Sequence, residues 1–200
     1  RPPRSTLFPY TTLFRSLQAS EMSLREFFQV VTDPRLVAAY KVTFAGAAIA
    51  SILNAFFGLL MAWILVRYEF PGRRIIDSLI DLPFALPTAV AGLTLAALFA
   101  HNGWIGQWFE AAGIKVSYTF YGIILAMVFT SIPFVVRAVQ PVLEDLSEEY
   151  EEAAASLGAN KVQIFFRIVL PHIGPALTIG TALSFVRSLG EFGAIIFIAG

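Results

Sequence analysis

From Val42 to Val66 the chain runs for 25 residues without a charged side chain. A helix that crosses a bilayer needs about 20 mostly apolar residues. In hydrocarbon, every backbone N–H and C=O must also find its partner inside the protein. Three more charge-free stretches meet that length: Leu82–Ala100 with 19 residues, Val116–Val136 with 21 and Ile168–Val186 with 19. A further apolar run begins at Phe192 and covers nine residues to Gly200. The pattern predicts an all-α membrane protein, a helical bundle with about four complete spans and part of a fifth. Charged residues make up 14% of the chain, against roughly 25% in soluble domains.

Orientation follows from Lys and Arg in the short connecting loops. Arg67, Arg73 and Arg74 fall in the first loop, Arg67–Arg74. The second, His101–Thr119, has only Lys115, and the third, Arg137–Arg167, has Arg137, Lys161 and Arg167. Loops one and three are therefore expected on the cytoplasmic side. Residues 17–41 then form an external amphipathic segment, with Phe27, Phe28 and Val31 on its apolar stripe. Arg25, Arg35 and Lys41 run against the charge rule there, and an upstream span would resolve this. Residues 1–16 lack an apolar run of signal-peptide length and are expected to be a non-native or disordered segment. Residues 42–200 are read as a truncated transmembrane domain.

Several function classes drop out. The formal net charge is zero and Cys is absent. Bulk charge thus favours no nucleic-acid partner, and thiolate metal sites, disulfides and thiol catalysis are excluded. His101 and His172 have no carboxylate at metal-ligand spacing, so no metal and no cofactor is expected. The chain carries no G-x-x-x-x-G-K-[ST] phosphate loop and no nucleophile–base constellation, so it is not expected to be an enzyme.

The third loop, 137–170, holds the most specific motif. Glu152-Ala153-Ala154, Gly158 and Ile168-x-Leu170-Pro171 spell E-A-A-x₃-G-x₉-I-x-L-P. Ser147 is a plausible N-cap with Glu148 and Glu149 in the first turn, where carboxylates suit the exposed N–H groups. Gly158 is placed to end this helix in the left-handed conformation. Asn160 caps a second helix, Lys161–Val169, and Pro171 marks a break before the next span. Small residues at the tip allow close approach to a partner, and Glu152 offers a carboxylate to a basic one.

Three more positions invite a gate or pore role: Pro83, Pro87 and Glu191. The prolines distort a helix start, either beside a permeation path or as a simple kink. Glu191 is a carboxylate at membrane depth, and the alternative is an i, i+4 pair with Arg187. Arg137 is expected to snorkel to the inner interface, Trp104 and Trp108 to sit in an aromatic belt, and Ser51 and Asn54 to make interhelical polar contacts.

The third-loop motif resembles the cytoplasmic loop of permease subunits of ATP-binding-cassette importers. The stretches RYEFPGRR (67–74), DLPFALPTAVAGL (81–93), RAVQPVLEDL (137–146) and SLGEFGAIIFIAG (188–200) are similar to sulfate/thiosulfate permease subunits of the T type. The resemblance implies the type I (MetI-like) permease bundle in a bacterial inner membrane. It also implies an ATPase dimer, a second permease subunit of the W type and a periplasmic sulfate-binding protein as partners. Glu152, Ala153, Ala154, Gly158, Ile168, Leu170 and Pro171 would then couple to the ATPase, which would drive alternating access. The related molybdate permeases share the loop and remain an alternative. A secondary transporter or a non-transporting scaffold are alternatives of another class.

Overall fold

The computed structural model describes residues 23–199, and within them the chain forms helices and connecting turns. The expectation for residues 1–16 lies outside the described residues. Two compact units divide the chain after Val42. In the first, Ser23 and Glu26 form a reciprocal capping box at the start of α1, Leu24–Val31. The backbone N–H of Ser23, and then its hydroxyl, hold the Glu26 carboxyl below the usual carboxylate range. The helix α2, Pro34–Arg67, begins earlier than the apolar stretch, because proline suits a first helical position. The segment expected over 17–41 thus contains, among described residues, α1 and the start of α2.

The second unit, from Thr43, holds α3 (Arg73–Ile80), α4 (Leu82–Ala85), α5 (Thr88–Leu98), α6 (Gly106–Ala111) and α7 (Phe120–Asp145). It continues with α8 (Glu148–Ser156), α9 (Lys161–Ile164), a π-helical turn Phe165–Val169, α10 (Leu170–Leu189) and α11 (Gly193–Ala199). Among the described residues three helices are long and apolar enough to cross a membrane: Pro34–Arg67, Phe120–Asp145 and the continuous Lys161–Leu189. The second expected span, Leu82–Ala100, differs. Leu86 is extended at ψ 137°, as a residue before proline prefers, so the stretch breaks into α4 and α5.

The expected break at Pro171 is absent as well. Pro171 sits in the first turn of α10, and the helix passes through it. The N–H of Leu170 bonds to the carbonyl of Phe165, five residues back. This wider turn lies immediately before the proline, where an ordinary α-turn would meet the ring and the missing donor.

α7 is the central helix and packs along α10, α11, α5 and α4. Lipid is as apolar as leucine, so close backbone approach and polar contacts, rather than escape from water, hold such helices together. The buried positions of α2 are accordingly small: Gly46, Ala47, Ala50, Ser51, Asn54, Gly58 and Ala62, ending at Leu65. A Cβ at Gly58 would lie 2.9 Å from Val135 Cβ of α7. One polar node crosses this packing. The Asn54 side-chain amide donates to Ser131 Oγ at 2.8 Å and to Ser184 Oγ at 3.0 Å, and Ser131 and Ser188 hydroxyls meet at 3.0 Å. Asn54 thus links α2 to α7 and α10. Ser51 is buried too, and its hydroxyl donates within its own helix, to the Ala48 carbonyl.

Candidate functional site

The motif segment folds as helix, tight turn, helix. Ser147 Oγ accepts the Glu149 N–H at 3.3 Å, and Glu148, Glu149 and Glu151 occupy the first turn of α8. The helix closes at Leu157, and Gly158 follows at φ +89°. The Gly158 N–H bonds to the Ala155 carbonyl at 2.9 Å, and the Ala159 N–H reaches the Ala154 carbonyl at 3.0 Å. These paired bonds are a Schellman closure, which asks for glycine at its left-handed position. Asn160 and Gln163 exchange side-chain-to-backbone bonds at 2.9 Å each and start α9.

The seven motif residues divide by environment. Glu152, Ala153 and Gly158 are exposed, as is Leu157, at 90%. Ala154, Ile168 and Leu170 are half-buried against the core cluster that includes Leu65, Val139, Leu143, Leu146 and Val169. Pro171 is exposed on the continuous helix. The first set thus lies at an exposed tip, and Ala154, Ile168 and Leu170 pack behind it on the bundle.

Two arginines, Arg67 placed by the sequence only as a loop charge and Arg137 expected to snorkel, form ion pairs within the fold. Arg67 ends α2, and its side chain is only 11% exposed. Its Nη2 lies 2.7 Å from Glu151 Oε1 and donates to the Leu146 carbonyl at 3.2 Å, while Nη1 lies 3.4 Å from Glu148 Oε1. The guanidinium carbon stands 5.9 Å from the Trp63 ring centroid, and Trp63 meets Phe165 edge-on at 5.7 Å. Between α2 and α8–α9 lies a groove of about 440 Å³, with Glu152 and Lys161 also on its walls.

Arg137 does not snorkel. It grips Asp81 with two nitrogens, at 2.9 and 2.7 Å, and Asp77 at 2.6 Å. A fourth bond, at 2.8 Å, goes to the Asp77 carbonyl. The two acids stand four apart, Asp77 in α3 and Asp81 just after it, a spacing that signals one helical face. These groups are one-third to one-half exposed, so solvent screens the pairing. Arg137→Ala should cost about 1–2 kcal/mol and lower the melting temperature in detergent by roughly 2–6 °C. Arg137→Lys, lacking the fork, should recover only part, and scanning fluorimetry of the purified subunit checks both.

The remaining sequence candidates lie elsewhere. Pro83 is buried at the start of α4, and Pro87 is exposed just past the break at Leu86. Glu191, 1% exposed, pairs with Arg187 at 2.6 Å and accepts the Ala194 N–H at 2.9 Å, fastening α11. Trp104 and Trp108 are exposed. Among the described residues no group of three His, Asp or Glu gathers to hold a metal ion.

Residues 54–200 match the family described as binding-protein-dependent transport system inner membrane component. The chain is 62% identical over 194 residues to the sulfate transport system permease protein CysT of Escherichia coli (strain K12), covering 97% of this chain and 69% of that protein. Its identity to the protein of the same description from Salmonella typhimurium is 63%, with the same coverage. With the one from Synechococcus elongatus it is 50% over 192 residues, 96% of this chain and 68% of that protein.

Proposed function

We propose, because the chain belongs to the family of binding-protein-dependent transport system inner membrane components, that it is the multi-pass permease subunit of an ATP-driven sulfate importer. The observation that carries this reading is 62% identity along nearly the whole chain to a sulfate transport system permease. The long apolar helices supply the membrane path. The work of ATP hydrolysis belongs to other subunits of the system.

The finer assembly extends that reading. α8 and the Gly158 turn dock on an ATPase dimer at the inner face of a bacterial inner membrane. Glu152, Ala153 and Gly158 make the contact, and Ala154, Ile168, Leu170 and Pro171 carry its motion into the bundle. A second permease subunit of the W type completes the path, and a periplasmic sulfate-binding protein delivers the anion. Pro83, Pro87 and Glu191 belong to the moving parts around that path. The exposed tip, fastened to the core from behind, supports this division of labour.

The test restores the full-length subunit to a bacterium lacking it, with the other components present. Labelled sulfate uptake and growth on sulfate as sole sulfur source should both return. Recovery of molybdate uptake without sulfate uptake would move the chain to the sister family. Recovery of sulfate uptake in a strain whose partner ATPase is inactive would instead favour a secondary transporter.

A further inference from the structure

We infer that Arg67 is a positioning residue, a strap through which α8 moves the first spanning helix, α2. The inference rests on the reading of α8 as the segment that meets the ATPase. Displacement of α8 passes along the chain directly to its neighbours, α7 on one side and α9–α10 on the other. α2 is no chain neighbour: Arg67 and Glu151 stand 84 positions apart. Apolar contact between them is slight, Ala154 being half-buried against the cluster that includes Leu65, and a groove of about 440 Å³ opens beside it. What bridges the groove is the Arg67 guanidinium, on Glu151, on Glu148 and on the Leu146 carbonyl.

The strap is stiff at both ends. Arg67 occupies the last turn of α2, where a cation also suits the helix dipole. Trp63, one turn back, faces the guanidinium, and Phe165 of the π turn fixes Trp63 from the side. The carbonyl acceptor belongs to Leu146, which closes α7 just before α8 and is itself buried in the core cluster. Arg67 is 11% exposed and Glu151 is 23% exposed. Drawing them apart leaves a largely desolvated guanidinium without its counter-charge, so the two helices travel together at lower cost. α2 in turn is tied through Asn54 to Ser131 and Ser184, which spreads the movement into the bundle.

The experiment uses the full-length subunit co-expressed with its partner subunits, purified and reconstituted in proteoliposomes, with labelled sulfate as the probe. In Arg67→Gln the ATPase should still copurify, while sulfate taken up per ATP hydrolysed falls roughly tenfold, within the usual range of coupling between sites. Arg67→Lys should restore part of the ratio. The exchanged pair Arg67→Glu with Glu151→Arg should transport at a higher ratio than either single change. A normal ratio in Arg67→Gln overturns the strap. Loss of copurification in Arg67→Gln, unrelieved by the exchanged pair, overturns it too and makes Arg67 a folding residue. If the unaltered subunit fails to copurify with an ATPase, the reading of α8 fails rather than the strap.

Discussion

Gly180→Val is expected to remove most of the subunit from the membrane. Gly180 lies on the face of α10 that meets α7. A Cβ there would stand 2.9 Å from Ala138 Cβ, 3.0 Å from Val135 Cα and 3.1 Å from the Phe134 carbonyl. Two of those three atoms are backbone, so no rotamer change makes room and the helices must separate. Ser184, one turn further along, then leaves its 3.1 Å bond to Ser131 and its bond from Asn54. Overpacking alone costs about 1–3 kcal/mol, and interhelical hydrogen bonds in a membrane add about 0.6 kcal/mol each. Immunoblots of membrane fractions should show the loss for valine and an intermediate level for Gly180→Ala. Wild-type abundance and melting temperature for the valine variant would mean that α7 and α10 do not approach as described.

On the proposed docking of α8, Gly158→Val should produce a different defect: normal insertion with loss of the ATPase. A Cβ at Gly158 meets nothing within 4 Å, so the penalty comes from the backbone alone. At φ +89° a β-branched residue is strained by about 1–2 kcal/mol. Relief comes from opening the paired bonds to the Ala154 and Ala155 carbonyls, which redirects α9 relative to α8. Because α8 has no buried residue, this leaves the spans in place. Copurification of the ATPase and ATP-dependent uptake should fall together while membrane abundance holds. Gly158→Asn, which tolerates the left-handed region, should keep most of both. Equal behaviour of the valine and asparagine variants would show that conformation is not what this position supplies.

The caps and the turn were legible because their signals are local. Ser147, Gly158 and Asn160 each act within a few residues, and each stands where its side chain, or the lack of one, predicts. The spans at Val42–Val66, Val116–Val136 and Ile168–Val186 were legible from charge-free length. Hydropathy registers no backbone break, so Leu82–Ala100 read as one helix although Pro87 forces Leu86 into an extended conformation. Pro171 misled in the opposite direction, since the π turn that accommodates it has no compositional signature. Arg67 and Arg137 were unreadable in their roles. Their partners lie dozens of residues away, and a charge at a helix end looks the same whether it faces water or a distant carboxylate.

The π turn also sets the phase of a long helix. Along α10 the residues that face inward recur every three or four positions: Val169, Ile173, Leu177, Gly180, Ser184 and Ser188. The step from buried Ile164 to buried Val169 is five. An α-helix turns about 100° per residue, so an unbroken wheel drawn from Lys161 to Leu189 would rotate every later face by about that angle. The extra residue at Phe165–Val169 absorbs the offset. It lets the short helix after the Gly158 turn and the membrane helix beyond it present their buried sides to the same neighbour. Deleting one residue of that turn would thus restore an ordinary α-turn and leave the faces of α10 in phase, whereas winding the full sequence into regular α-turns would bring a different face of α10 against α7.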